Sequence, residues 1–136
     1  YGILKPLDSI LPYRLEMGTK LEVNGNKNLY EFWGSKITKQ LMSECKEDDI
    51  IINLASNEYS KVLDLKCFSN VVTPIFKDFK NGKSKVISFF AKKARGSFAR
   101  FVMTEKPKKI DDLISFNGLG YQFSEINSKN EIIFSR

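Results

Sequence analysis

Two β-rich runs, residues 71–79 and 84–90, are joined by Lys80-Asn81-Gly82-Lys83, and no other stretch of the sequence narrows the fold as much. Asn-Gly is the pair a type I′ turn favours, because both central residues take positive φ and the turn twists in the same sense as the strands it joins. The stretch therefore predicts an antiparallel hairpin. After Phe90 the apolar spacing changes to that of a helix over residues 91–105, ended before Pro107. A hairpin running directly into a helix asks for a sheet with a helix laid on it. The expected class is mixed α/β (α+β), a β-sheet with a β-hairpin and packed helices.

The remaining pattern fits that class. From Asn28, Leu29, Trp33, Ile37 and Leu41 fall four apart on one stripe with Phe32 beside it, predicting a single core helix. Ile50-Ile51-Ile52-Asn53-Leu54 is an uninterrupted apolar run of the kind that suits a strand buried on both faces. Ser56 then caps a short helix with Glu58 in its first turn. Residues 13–18 alternate like a short strand and put Arg14 and Glu16 on one face, while 24–26 read as a turn. A short helix over 110–116 and strands at 120–123 and 131–134, separated by the polar turn 127–130, complete the reading. No repeat or linker divides residues 1–136, which read as one domain segment. The opening at Tyr1 rather than Met suggests a piece of a longer protein.

Charge is distributed very unevenly along this scaffold. Residues 77–109 hold 11 Lys and Arg against two acids, a net of +9, whereas the rest of the chain nets −3. A local concentration of this kind raises the potential in one place and suits a polyanion. On a wheel of about 100° per residue, Lys92, Lys93, Ala99 and Arg100 lie within about 60° of Gly96. Ala91, Ala94, Phe98, Phe101 and Val102 gather on the opposite side, with Arg95 and Ser97 on the flanks. Cations around a glycine allow an extended phosphate chain to come close to the helix while Lys and Arg reach it from the sides. With the helix starting at Ala91, Lys92 and Lys93 fall in its first turn, where unpaired N–H groups favour an anion. A merely solvated face is the competing reading. Against it, residues 86–104 contain no acid, whereas ordinary surfaces mix signs.

Other chemistry is thinly supported. With no histidine, the usual general base, the commonest metal ligand and every His-dependent triad are missing from this sequence. Two cysteines, Cys45 and Cys67, are too few for a disulfide scaffold and read as free thiols packed as small hydrophobes in a reducing compartment. Asn53, Ser56 and Glu58 follow the apolar strand and could face Arg14 and Glu16 in a polar cleft; local capping and ion pairing explain the same residues. Gly118-Leu119-Gly120 imitates the hairpin of a helix-hairpin-helix, but Tyr121-Gln122-Phe123 alternates into a strand where a second helix belongs, which favours a plain loop. No stretch is long and apolar enough to span a bilayer.

Five blocks taken in order carry a family resemblance. They are Tyr1-Gly2-Ile3-Leu4-Lys5-Pro6-Leu7-Asp8, Pro12-Tyr13-Arg14-Leu15-Glu16-Met17-Gly18, Leu29-Tyr30-Glu31-Phe32-Trp33-Gly34, Ile52-Asn53-Leu54-Ala55-Ser56-Asn57-Glu58-Tyr59 and Ile87-Ser88-Phe89-Phe90-Ala91-Lys92-Lys93-Ala94-Arg95-Gly96. Together they closely resemble the bacterial YaaA peroxide-stress family. The resemblance implies a cytoplasmic protein that protects against hydrogen peroxide and is associated with limiting free intracellular iron and with DNA binding or repair. It also implies a family-specific fold with a positively charged cleft, in a chain about twice this long whose C-terminal half this segment represents. The helix-hairpin-helix of that family is expected in the other half. Lys92, Lys93, Arg95 and Gly96 match the family's positions and Arg100 fits the pattern, so these five are the expected nucleic-acid contacts. No cofactor, bound metal or membrane partner is implied, no enzymatic activity is established by the resemblance, and the oligomeric state stays open. An enzyme acting on a nucleotide or nucleic acid held by the same patch is the alternative.

Overall fold

A computed structural model of the chain describes residues 2–12, 16–20, 22 and 24–136. The chain divides into two compact units, Tyr1–Asp49 with Ala55–Ser69, and Ile50–Leu54 with Asn70–Arg136.

Among its described residues the first unit holds three short α-helices, α1 (Leu29–Trp33), α2 (Lys36–Glu44) and α3 (Asn57–Ser60), and a 3-10 turn at Leu65–Cys67. The expected single helix from Asn28 is thus two. Asn28 caps α1 by accepting from the Glu31 N–H at 3.0 Å. Gly34 then takes φ 47°, a conformation that ends a helix cheaply only for a residue without a Cβ, and the apolar stripe resumes in α2 after the break. The turn at Asn24-Gly25 is present, both residues having positive φ. The strand expected over 13–18 lies in part outside the described residues, and 16–18 are not in a strand. Cys45 is half-buried and Cys67 exposed; both are free thiols, so Cys67 is not the packed small hydrophobe expected of it.

The second unit is a mixed sheet with a helix on one face, the α+β arrangement. Its strands are β1 (Ile51–Ile52), β2 (Val71–Lys80), β3 (Lys83–Lys85), β4 (Gln122–Ile126) and β5 (Glu131–Ser135), in the order β1-β2-β5-β4 with β3 also paired to β2. β2 runs parallel to both β1 and β5, and β4 is antiparallel to β5. Asn81 and Gly82 take φ of 54° and 73°, and β3 folds back antiparallel on β2 with Phe79 opposite Ser84, so the Asn-Gly hairpin forms as expected. Its second arm is shorter than its composition suggests. β3 ends at Lys85, and residues 88–90 belong to the helix α4 (Ser88–Glu105).

β2 carries the core. Val72, Pro74, Phe76 and Asp78 alternate as its buried positions. Against Val72 and Phe76 pack Ala91, Ala94 and Phe98 of α4, Ile132 and Phe134 of β5, and Leu113, Phe116 and Tyr121. Leu113 ends the short helix α5 (Ile110–Leu113), which stops three residues before the expected boundary. Ile50, Ile52 and Leu54 pack against this cluster from alternate positions, so the apolar run presents one face to the core. It is an edge strand, half-buried throughout, and not a strand buried on both faces. Gly118-Leu119-Gly120 forms a single turn with Leu119 at φ 57°, followed directly by β4; the loop reading holds and no second helix follows.

Candidate nucleic-acid interface

α4 spans 18 residues, and packing sets its orientation. Ala91, Ala94 and Phe98 are buried against the sheet, which turns Lys92, Lys93, Gly96 and Arg100 outward, all exposed, with Arg95 half-buried at the margin. A Cβ added at Gly96 would meet nothing within 4 Å, so the centre of this face is open space. The side chains of Lys92 and Arg100 have no hydrogen-bond or ion-pair partner among the described residues. Lys93 sits over the Phe89 ring, its Nζ 4.6 Å from the ring centroid. The Arg95 Nε–H donates to the Ala91 carbonyl at 3.4 Å, which ties that side chain back along its own helix. Among the described residues the only ion pair is Arg136–Asp78, so no carboxylate neutralises this face.

The helix begins at Ser88, three residues earlier than its spacing suggests, so Lys92 and Lys93 stand in its second turn. The first-turn N–H groups belong to Ser88, Phe89 and Phe90, and Ile87 supplies no side-chain cap. The aromatic and β-branched residues at 86–90 favour a strand by composition, but burial of Ala91, Ala94 and Phe98 on the sheet rewards starting the helix earlier.

The rest of the +9 stretch behaves differently. Lys80, Lys83 and Lys85 are exposed at the hairpin. Beyond the helix, the Lys108 and Lys109 N–H groups both donate to the Asp112 carboxylate, at 3.0 and 3.2 Å, and Glu105 and Asp111 stand close by in sequence. Signs mix there as on an ordinary surface.

Of the residues expected to line a polar cleft, Asn53 and Glu58 are bonded to neighbouring segments. Arg14 lies outside the described residues. Glu16 is exposed, and its carbonyl accepts from Thr19 N–H at 3.1 Å. Asn53 continues β1, donating its N–H to the Val72 carbonyl at 2.8 Å and its side-chain amide to Thr73 Oγ1 at 3.3 Å. Ser56 stands at the N-cap of α3 without a side-chain bond to it. The Glu58 carboxylate accepts from Met17 N–H at 3.0 Å, and its carbonyl accepts from the Tyr30 hydroxyl at 2.7 Å, so this residue ties together the segments around 17, 30 and 58. Asn53 belongs to the second unit, Glu16, Ser56 and Glu58 to the first.

A buried polar cluster has no counterpart among the motifs legible in the sequence. Asp78, on the core face of β2, accepts from the Tyr121 hydroxyl at 2.9 Å and from Arg136 Nε at 2.7 Å. Arg136 also donates to the Leu119 carbonyl at 2.8 Å, and its guanidinium lies 4.8 Å from the Phe90 ring centroid and 4.5 Å from that of Tyr121. The alternation in β2 holds the signal, since Asp78 is the one charged residue among the buried positions Val72, Pro74, Phe76 and Asp78. Burial pushes the Tyr121 phenol up to about 12, and the hydrogen bond to the Asp78 carboxylate pushes the same way. The unfolded phenol ionises near about 10. Its contribution to stability is therefore complete below about pH 10 and lost as pH rises toward about 12. The stability gap between the wild type and Tyr121→Phe, followed by urea denaturation, should narrow across that window; a constant gap would contradict the assignment.

Two comparisons place the sequence among known proteins. Residues 1–127 match the profile described as peroxide stress protein YaaA. Relatives named UPF0246 protein include one from Flavobacterium johnsoniae, 52% identical over 138 residues, which covers all of this chain and 55% of the relative. Another, from Idiomarina loihiensis, is 50% identical over 140 residues, covering all of this chain and 54% of the relative. A third, from Shewanella denitrificans, is 57% identical over 131 residues, covering 94% of this chain and 51% of the relative. The chain thus spans about half the length of the relatives it matches. With the profile covering nearly all of it, the chain belongs to the peroxide stress protein YaaA family.

Proposed function

We propose that the protein serves the response to peroxide stress in the bacterial cytoplasm by binding DNA without sequence preference, through a basic cleft of which α4 forms one wall. The observation that carries this reading is the unneutralised outward face of α4, where Lys92, Lys93 and Arg100 surround the open position at Gly96. Such a face can reach phosphates from several sides and reads no base edge, so its affinity is electrostatic and falls steeply with salt. Arg95 is a margin contact that would have to release the Ala91 carbonyl to engage. The association with limiting free intracellular iron belongs to the same proposal, as an effect of the whole protein in the cell. Among the described residues, no group of three or more Cys, Asp or Glu is placed to hold a metal ion.

The test is the triple variant Lys92→Gln, Lys93→Gln, Arg100→Gln. All three side chains are exposed, so circular dichroism should show an unchanged fold. Affinity for unrelated duplexes, measured by fluorescence anisotropy, should weaken alike and by at least about tenfold, and the salt slope should fall by about 1 for each phosphate that the variant no longer neutralises. Unchanged affinity and slope would remove α4 as the DNA-binding surface.

A further inference from the structure

The earlier start of α4 brings Phe89 onto the cationic face, which Met103 shares at the other end of the helix. Continuing the helical wheel to the ends of the helix places Phe89 and Met103 within about 20° of Gly96, seven positions before and after it. Both are open to solvent, Phe89 at 62% and Met103 at 67%. A solvated cationic face gains nothing from a large aromatic at its centre, and the core of this unit does not use Phe89, whose neighbours on the opposite side of the helix fill it. Lys93 sits over the ring with its Nζ 4.6 Å from the centroid, and Phe90 meets it edge-on at 5.8 Å between centroids. Phe89 is thus held by two neighbours while most of its surface stays open, in line with Lys92, Gly96 and Arg100.

Exposed aromatic rings interleaved with a cationic track are how proteins hold unpaired nucleic acid. The bases stack on the rings, whatever their identity, and the cations follow the backbone. A paired duplex keeps its bases inside and offers a surface ring nothing to stack on. We infer that the preferred occupant of the α4 face is single-stranded DNA, with an unpaired base stacked on Phe89 and the adjoining phosphates on Lys92, Lys93 and Arg100. This rests on the phosphate-contact reading and adds the class of nucleic acid to it.

The measurement compares three fluorescent probes of equal length, about 16 nucleotides, the upper end of the site size of a single-strand-binding module. They are an oligothymidylate, an abasic oligomer with the same phosphates and no bases, and a duplex. The wild type should favour the oligothymidylate over the abasic oligomer. Phe89→Leu, which keeps an apolar side chain without a ring, should lose about tenfold on the oligothymidylate and change little on the other two. Phe89→Trp should restore or exceed the wild-type preference. Equal binding of oligothymidylate and abasic oligomer by the wild type, or a Phe89→Leu protein that keeps the preference, overturns stacking. Lys92→Gln with Arg100→Gln separates the two readings. If that variant weakens all three probes while Phe89→Leu alters none, phosphate contact survives and stacking fails; if it weakens none, both fall.

Discussion

Asp78→Ala should destabilise the protein by about 3 kcal/mol, seen as a lower urea midpoint with a similar slope, because it leaves two donors without their acceptor. The Tyr121 hydroxyl loses its partner in a place where the residue is fully buried. The Arg136 guanidinium loses the 2.7 Å ion pair that holds it over Phe90 and Tyr121. The effect belongs at the lower end for a broken buried pair, since the Arg136 side chain keeps 31% of its surface exposed and water can reach it. Arg136→Ala should also destabilise, because it leaves the buried Asp78 carboxylate with the Tyr121 hydroxyl alone. The double variant should then show a coupling of about 1 kcal/mol or more between the two positions. Additive losses would mean that the pair contributes nothing as a pair.

Phe76→Ala should cost about 3–5 kcal/mol, the range for truncating a buried aromatic in a core that collapses only partly. Its ring lies within 6.0 Å, centroid to centroid, of those of Phe98, Phe116, Tyr121 and Phe134, which come from four separate parts of the chain. No single neighbour can move into the space without leaving the others. Phe98 is also the residue that seats α4 on the sheet, so the cavity opens directly beneath the cationic helix. Phe76→Leu fills most of the volume and should lose less than half as much. A loss under about 1 kcal/mol for the alanine variant, by urea or calorimetry, would mean that the aromatic cluster is looser than its geometry implies.

Local signals were the ones legible in the sequence. Asn81-Gly82 specifies its turn through its own backbone preferences, and the 127–130 turn between β4 and β5 works the same way, with Asn127 accepting from the Lys129 and Glu131 N–H groups. The wheel over α4 separates the buried Ala91, Ala94 and Phe98 from the exposed cations correctly. What the sequence does not show depends on distant partners. The start of α4 at Ser88 has no capping side chain to announce it, and the reward for forming that turn comes from the sheet. The Asp78–Arg136 pair joins positions 58 apart, which no window of sequence connects. Phe89 is hidden by the same boundary, since as a strand residue it has no place on the helix face. Of the proposed polar cleft, Glu58 shows why a carboxylate in a sequence is weak as a sign of catalysis: the backbone of a neighbouring segment already uses it.

The pairing order of the sheet has a consequence for how the chain acquires its structure. β2 lies at the middle, yet each residue of its parallel partner β5 is made 58 residues after the one it pairs with, once α4, α5 and β4 have been synthesised. During synthesis on the ribosome, Phe76 and the backbone groups of residues 73–77 emerge long before the strand that covers them. Until residues 131–135 arrive, that edge can pair with any other extended chain. The chain therefore carries an unpaired edge through most of the synthesis of this unit, and residues 131–135 end that exposure.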